Sequence, residues 1–469
     1  MAQEAATAEA RRFGRTAGLL SIGVGASGLL TYVYFALASH QLDRTEYGEI
    51  VVLWSAVFIT VSTIFRPIEQ LLSRTIAERQ AHAMPIASPL RVAGAIQLGL
   101  AGTFAAVALA LKGPLENGLL SGDSTLYWIM VSGVLAYAAS FYARGFLAGS
   151  RRFSLYATLL IAEAVSRVAF ACAVAFGVAS GQHVVAFGVV AAPCFSVLVV
   201  PLALVGGAGR RAPAVSDPPL PGSEPAVAVM RPGAPEPVFT LAYGGGFAAA
   251  VLLVMISEQT FMSGGPLLVR AALGAAEAGF IFNMLMVARA PLVLFQAIAT
   301  SLLPHLTRLR SRGRTGAQAF SLSVRSTIGA IAVFAGLVTV VLAIGGPTLM
   351  QIAFGKKFEY DRAGLVIIAV GMGLYLSAAT LNQAAFAQGQ ARRSAMRWVA
   401  CAAGFLVWNL LPVLDEYRRV EIGFAVAAAA LCGLLYLLYR RPLAHPGDIM
   451  EPGSPEELEA RLAAADEAG

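Results

Sequence analysis

The sequence predicts an all-α polytopic membrane protein with twelve transmembrane helices, arranged as two six-helix lobes in a parallel pseudo-repeat. Of its 469 residues 57% are hydrophobic and only 13% charged, whereas an ordinary soluble protein is about 25% charged. Apolar runs long enough to cross a bilayer recur along the chain, and a proline-rich stretch divides them six and six. An outer-membrane barrel is excluded because its strands alternate apolar and polar residues over about ten positions.

Each predicted span meets the length of about 20 apolar residues that a helix needs to cross the hydrocarbon core. The spans are 16–39, 50–68, 92–111, 125–148, 154–178, 183–206, 238–262, 277–303, 323–349, 363–387, 395–414 and 420–439. The first run is longer than the 7–15 residues or so of a signal-peptide core, so we expect it to be retained. After the seventh span, Ser263-Gly264-Gly265-Pro266 predicts a helix break, with residues 263–276 folding back.

The distribution of basic residues predicts the orientation. Arginine supplies 31 of the 34 basic residues, and most of these flank apolar spans. Twenty Lys and Arg lie on the side of the N-terminus and eight on the opposite side. The positive-inside rule therefore places both termini in the cytoplasm of a multi-pass protein of the cell (plasma or inner) membrane. The net charge of +7 reflects this orientation, and we expect no nucleic-acid partner.

Proline content predicts the domain boundaries. Eight prolines within 207–237 indicate a cytoplasmic linker between an N-terminal lobe (1–206) and a C-terminal lobe (238–441), followed by a polar cytoplasmic tail (442–469). A short internal repeat pairs Glu46-Tyr47-Gly48-Glu49-Ile50 with Glu277-Ala278-Gly279-Phe280-Ile281 at an offset of 231 residues. Because each lobe starts on the cytoplasmic side, this repeat is parallel, with its pseudo-axis along the membrane normal.

Ionisable residues inside the spans are the candidate functional residues, since each costs about 2.5–3.5 kcal/mol at a helix centre and needs a partner, a cavity or a role. The arginines are candidate substrate-binding residues, and the glutamates are candidates for ion coupling or for pairing. The six are Arg66, Arg144, Glu163, Arg167, Glu258 and Arg289.

The positions of four of these residues in their spans leave two interpretations open for each. Glu163 and Arg167 lie four residues apart and share a helix face, so they form either a structural ion pair or a unit in which Glu163 positions a cavity-lining guanidinium. Arg66 and Arg144 lie near inner span ends, where snorkelling to the cytoplasmic surface is the alternative to a role inside the membrane.

The C-terminal lobe carries the other two candidates. Arg289 has no acidic residue within a turn on its own span, so we expect it to face water or an anion. Glu258 either couples transport to protons or pairs with Arg289 across the two spans.

No motif for a cofactor, a metal or catalysis is found. The sequence has no GxSxG, Walker, HExxH or Rossmann pattern. Its four cysteines lie within apolar runs, and its five histidines are scattered through connections. The sequence therefore predicts a non-enzyme with no cofactor and no metal.

Three segments carry a resemblance to a known family. They are Leu42-Asp43-Arg44-Thr45-Glu46-Tyr47-Gly48-Glu49-Ile50, then Arg144-Gly145-Phe146-Leu147-Ala148-Gly149 with Arg152-Phe153, and Ile352-Ala353-Phe354-Gly355-Lys356-Lys357-Phe358 with Gln388-Gly389. In order and spacing they resemble the polysaccharide-type branch of the multidrug/oligosaccharidyl-lipid/polysaccharide exporter superfamily, over most of the chain.

The resemblance implies a flippase of the O-antigen or exopolysaccharide translocase kind. Such a protein moves a polyprenyl-diphosphate oligosaccharide from the inner to the outer leaflet by alternating access, for cell-surface polysaccharide biosynthesis. It implies a cationic cavity to which Arg66 and Arg289 contribute. It also implies contact with membrane lipids and with a polysaccharide polymerase or glycosyltransferases.

Two alternatives stay open. A cation or drug antiporter of the same superfamily would use acidic cavity residues, for which Glu163 and Glu258 are the candidates. A membrane-embedded glycosyltransferase or ligase would use a carboxylate near a span end, such as Asp43 or Asp123.

Overall fold

The structure, a computed structural model, describes residues 2–81, 84–198, 241–289 and 313–440. Within these ranges the chain is helical and contains no β-strand. The predicted linker 207–237 and the predicted tail 442–469 lie outside the described residues.

Thirteen α-helices follow one another in the described ranges, with a short π-helix at Pro114–Leu119 and a 3-10 helix at Lys356–Phe358 between them. The N-terminal lobe contains α1 (Ala2–Gln41), α2 (Arg44–Ile64), α3 (Arg66–Ala81), α4 (Ala87–Ala110), α5 (Ser124–Gly149), α6 (Phe153–Ala175) and α7 (Gln182–Val197). The C-terminal lobe contains α8 (Leu241–Leu273), α9 (275–289), α10 (Gly313–Phe354), α11 (Arg362–Ala387), α12 (Ala391–Leu410) and α13 (Glu416–Arg440). The twelve predicted spans match these helices in order, with α2 and α3 together forming the second span.

The second span is divided by a turn at Phe65, where α2 meets α3. Phe65 closes α2 by donating its backbone N–H to the Val61 carbonyl (2.9 Å), and Pro67 lacks the N–H that would continue the helical ladder. Even so, 44–77 is one apolar stretch of 34 residues. Arg66 is the first residue of α3.

Most of the helices are long and apolar enough to cross a membrane. Nine such stretches lie within the described residues. The other helices are the shorter apolar α7, the described part of α9, and α12, whose first turns carry Arg392, Arg393 and Arg397. The protein is therefore a multi-pass membrane protein.

Four helices begin after an aspartate cap on one side of the bundle: α13 follows Asp415, which accepts the backbone N–H of Arg418, and the other three are α2, α5 and α11. Asp43, Asp123 and Asp361 each accept two backbone N–H groups from the first turn of α2, α5 and α11, which satisfies donors that a helix start leaves unpaired. Following the predicted orientation, we call this the outer side, where 42–43, 111–123, 176–181, 274, 355–361 and 411–415 connect the helices.

Equivalent helices pack in the same way in the two lobes. α1 packs on α6 as α8 packs on α12, α5 packs on α7 as α11 packs on α13, and α6 packs on α7 as α12 packs on α13. The predicted parallel pseudo-repeat of two lobes is confirmed by this pairing.

The repeated sequence motif meets itself between the lobes. A Cβ added to Gly279 would lie 3.1 Å from the Cα of Gly48, and one added to Gly48 would lie 1.8 Å from the carbonyl oxygen of Ala275. Only glycine allows the backbones to approach so closely. The two glycines of the repeat are therefore an interlobe contact.

The predicted break at 263–276 is wrong, because α8 continues through Pro266 to Leu273. Membrane helices tolerate an internal proline when neighbouring helices support the freed backbone groups. Here α8 packs against α2, α12 and α13. A Cβ on Gly265 would lie 3.1 Å from Val420 of α13.

Candidate functional site

The outer ends of the two lobes are joined by a set of contacts that we call the outer latch. Arg270 of α8 donates from Nε to the Leu119 carbonyl (3.1 Å) and from Nη2 to Ser121 Oγ (2.9 Å). Lys357 Nζ donates to the carbonyl of Leu42, and burial lowers the pKa of this lysine although Asp43 and Glu46 oppose the effect.

Aromatic packing and one buried hydrogen bond complete the outer latch. The hydroxyl of Tyr47 donates to Oδ1 of Asn283, and both side chains are buried. Phe35 packs on Phe282 with ring centroids 4.6 Å apart, and Tyr47 packs on Phe358 at 5.0 Å. A carrier that exposes its centre to the outer side must break these contacts.

Deeper in the bundle, the hydroxyl of Tyr375 on α11 is a point where charged groups converge. Glu258 of α8, Arg289 of α9 and Arg66 of α3 all interact electrostatically with this hydroxyl. Arg66 belongs to the N-terminal lobe and the other three residues to the C-terminal lobe, so the group lies where the lobes face each other. We call these four residues the seam cluster.

Arg289 is the member of the seam cluster whose side chain has the most unpaired hydrogen-bond donors in the described part of the chain. Its Nε and Nη2 atoms are buried and have no hydrogen-bond partner in the described part of the chain. Residues 290–303, which continue the predicted span, contain no Asp or Glu. The predicted pairing of Glu258 with Arg289 is not seen between these two described residues; both instead interact with Tyr375. A buried guanidinium of this kind suits water or an anion.

Glu163 forms an ion pair with a different arginine from the one predicted. Its Oε2 lies 2.5 Å from Nη2 of Arg144 on α5, and its Oε1 accepts a hydrogen bond from Ser140 (3.0 Å). The predicted i,i+4 pair with Arg167 is wrong because two hydrogen-bond donors on α5 occupy this carboxylate. Snorkelling of Arg144 is also wrong, since its side chain is 11% exposed and held by the pair.

Arg167 is enclosed by aromatic rings inside the N-terminal lobe. It is 3% exposed, and its guanidinium carbon lies 4.8 Å from the ring centre of Trp54 and 6.0 Å from that of Phe58. Trp54 and Phe58 stack on each other with centroids 3.9 Å apart. The expected role of Arg167 in lining a cavity is not what this arrangement provides, because the rings cover the side chain.

Each lobe has a tyrosine, an arginine and a phenylalanine at three equivalent helical positions, but the positions of the arginine and the phenylalanine are exchanged between the lobes. Tyr137 and Tyr375 are each the fourteenth residue of their helices, α5 and α11. The fifteenth residue is Phe58 in α2 but Arg289 in α9, whereas it is Arg167 in α6 but Phe405 in α12. Each lobe thus sets one arginine near the equivalent tyrosine, but from a different helix.

Sequence reasoning missed both tyrosines and the roles of the capping aspartates. The helical position that Tyr137 shares with Tyr375 was a usable signal, because both follow an aspartate cap by fourteen residues. Asp123 caps α5 and pairs with His183 (2.6 Å), and Asp361 caps α11 and pairs with Arg418 (2.7 Å). Asp43 and Asp123, the candidate carboxylates of a glycosyltransferase, are therefore occupied as helix caps.

Comparison with known proteins gives relatives in sequence and neighbours in structure. No protein-family model matches the chain. It is 25% identical over 426 residues to an uncharacterized protein of Mycobacterium bovis, covering 87% of each chain. It is also 26% identical over 420 residues to an uncharacterized protein of Mycobacterium tuberculosis, covering 85% of this chain and 88% of the relative.

Solved structures of similar fold are MATE transporters. A MATE transporter in complex with MaD3S matches with a TM-score of 0.61 at 12% identity, covering 91% of this chain and 94% of that one. A eukaryotic MATE transporter matches with a TM-score of 0.61 at 12% identity, covering 92% and 95%. One from Vibrio cholerae matches with 0.55 at 16% identity, covering 91% and 97%.

Together, the two-lobed helix order, the repeated packing and these neighbours define the class of the molecule. The chain is a multi-pass membrane protein with the fold of the MATE transporters of the multidrug/oligosaccharidyl-lipid/polysaccharide exporter superfamily.

Proposed function

We propose that this protein is a transporter that flips a polyprenyl-diphosphate-linked oligosaccharide from the inner to the outer leaflet by alternating access, for cell-surface polysaccharide biosynthesis. We place it in the plasma membrane with both termini in the cytoplasm. Its partners are membrane lipids and the polymerase or glycosyltransferases that use the same lipid-linked sugar.

The unpartnered guanidinium of Arg289 in the seam cluster carries this proposal. Arg66, Arg289 and Glu258 all interact with the hydroxyl of Tyr375. Arg66 also has Glu69 near it, since both act on Tyr156, whereas two donors of Arg289 are buried without a partner in the described chain. A diphosphate is a multiply charged anion, and a guanidinium binds phosphate oxygens through two parallel N–H donors. Tyr375 adds a hydroxyl that donates to a phosphate oxygen or accepts from a guanidinium.

The Arg144–Glu163 ion pair supports the same substrate class. A cation or drug antiporter needs carboxylates free to exchange a cation, and Glu163 is buried and committed to Arg144 and Ser140. Of the two predicted acidic candidates, this leaves Glu258. The antiporter stays the second candidate function because Glu258 is half-buried beside Tyr375 and the structural neighbours are MATE transporters.

The test is reconstitution of the purified protein into vesicles with a fluorescent polyprenyl-diphosphate oligosaccharide. Exposure of the sugar on the far leaflet is followed with a membrane-impermeant quencher. We expect Arg289→Ala to slow translocation about ten- to hundredfold, since a hydrogen bond to a charged group is worth roughly 1.5–3 kcal/mol. Arg91→Ala, which removes an exposed arginine of α4, is the matched control and should translocate normally.

A parallel assay separates the two candidate functions. Vesicles with an imposed proton gradient are loaded with a lipophilic fluorescent cation, and its movement is compared between the unmodified protein and Glu258→Gln. Gradient-driven cation movement that needs Glu258, together with no protein-dependent translocation of the sugar, would select the antiporter and reject the flippase.

A further inference from the structure

Arg167 presents an uncompensated charge inside the N-terminal lobe, away from the seam cluster. Its side chain is 3% exposed, and its Nε atom is buried without a hydrogen-bond partner. No carboxylate within the described ranges forms an ion pair with it, because Glu163 on the same helix is held by Arg144. Residues 199–206, which continue the predicted sixth span, also contain no acidic residue.

Cation–π contacts offset only part of the cost of burying this charge. Trp54 and Phe58 lie 4.8 and 6.0 Å from the guanidinium carbon, and such contacts are worth about 2 kcal/mol when desolvated. Burying an unpaired charge costs several kcal/mol. The rings also accept none of the in-plane N–H bonds that a guanidinium donates, so the donors of Arg167 still need an acceptor.

A second unpartnered donor lies close to Arg167. The hydroxyl of Tyr137 is completely buried and has no hydrogen-bond partner in the described chain. It interacts electrostatically with Glu163 first and also with Arg167 and Arg144, and the ring of Tyr137 packs on Phe58 with centroids 5.4 Å apart. Tyr34 is also near both groups, but its hydroxyl already donates to the Val185 carbonyl (2.9 Å).

We propose that the N-terminal lobe holds a small anion, chloride in a chloride-containing medium, between the guanidinium of Arg167 and the hydroxyl of Tyr137. Both unpartnered groups are donors, so an acceptor completes their hydrogen bonds. The carboxylates that act on Arg144 are Glu163 and Glu69, and no carboxylate of the described residues forms an ion pair with Arg167, so a negative charge also offsets the charge of Arg167. The aromatic enclosure suits a monatomic anion and excludes a lipid-linked diphosphate.

The anion would fix the packing of α2, α5 and α6, from which Trp54, Phe58, Tyr137 and Arg167 come. This site differs from the seam cluster in lobe, in enclosure and in its residues. The proposed anion site is therefore independent of the proposed transport of a lipid-linked sugar, and failure of one proposal leaves the other unaffected.

The experiment measures thermal unfolding of the purified protein in detergent at constant ionic strength, with sodium chloride or bromide replacing sodium gluconate. We expect the Tm to rise with halide by roughly 2 °C for each tenfold concentration above the dissociation constant. Arg167→Met should abolish this rise, and Tyr137→Phe should shift it to about tenfold higher halide. Arg289→Met, which removes the seam guanidinium instead, should keep it.

Several results would overturn the proposal. If the Tm does not change with halide concentration, the donors of Arg167 and Tyr137 are satisfied by water. A halide response that persists in Arg167→Met places the anion elsewhere. Stabilisation by inorganic pyrophosphate but not by halide assigns Arg167 to the transported substrate. If Arg167→Met does not fold, an anomalous difference peak for bromide beside Arg167 in the unmodified protein decides the matter, and its absence rejects the site.

Discussion

Replacing Gly48 by alanine should prevent the outer latch from closing. The added Cβ would lie 1.8 Å from the carbonyl oxygen of Ala275 and 2.3 Å from its carbonyl carbon, and ordinary contact begins at about 3.4 Å. The backbones must therefore separate by about 1.6 Å. Such a shift would lengthen the 2.9 Å bond from Arg270 to Ser121 toward 4.5 Å, where it no longer exists.

The separation is measured with spin labels on the outer surface, one on each lobe. Thr45 and Glu359 are exposed, so Thr45→Cys and Glu359→Cys are labelled in a background without the four native cysteines. We expect pulsed electron–electron double resonance to show a longer distance between the two spin labels in Gly48→Ala than in the parent. Transport should fall at least tenfold, because a carrier by alternating access needs its outer-closed state.

The control is Gly102→Ala on α4, whose added Cβ meets no atom within 4 Å. It should leave both the distance and the transport rate unchanged. An unchanged distance in Gly48→Ala, with the protein folded and the control normal, would refute the view that the two repeat motifs form the contact which closes the outer side.

Three further outcomes follow from the buried and capping groups. Glu163→Gln leaves the charge of Arg144 unpaired and should destabilise the protein by about 3–5 kcal/mol, seen as a lower Tm in detergent, whereas Ser140→Ala should cost about 1 kcal/mol. The pKa of Asp123 is lowered overall: burial raises it, but hydrogen bonds from Leu126, His183 and Thr125 outweigh that effect. The contribution of Asp123 to stability is complete above the ordinary pKa of 3.8 and is lost as the pH falls through its lower pKa in the folded protein. The Tm should therefore drop more steeply between pH 6 and 3 in the parent than in Asp123→Asn. Arg270→Gln weakens the outer latch without a clash, and the labelled distance should broaden instead of shifting as a whole.

The helices were predictable because the bilayer imposes one strong constraint. A membrane span must satisfy all its backbone groups within itself, so each run of about 20 apolar residues reports a helix regardless of tertiary contacts. Pro266 shows where that reasoning fails: a proline weakens a helix locally, but packing on the neighbouring helices decides whether the helix ends.

Pairing inside the bundle was less predictable. The i,i+4 spacing of Glu163 and Arg167 is a property of one helix, whereas the actual partner, Arg144, comes from α5. A single sequence carries no information on which helix faces which at this level. The repeat motif was informative because its two copies meet at the pseudo-axis, where a close approach requires glycine in both.

The exchange of arginine and phenylalanine between equivalent helices makes two otherwise equivalent six-helix units different in charge placement. Two copies of one six-helix unit begin with identical chemistry, and a division of labour requires that the position of a charge differ between them. Moving the guanidinium from the second helix to the fifth turns it away from the passage and into the interior of its own unit. In the proposed flippase one half would then bind the cargo and the other would be its rigid counterpart. The double substitution Phe58→Arg with Arg167→Phe is the direct way to give the first unit the arrangement of the second.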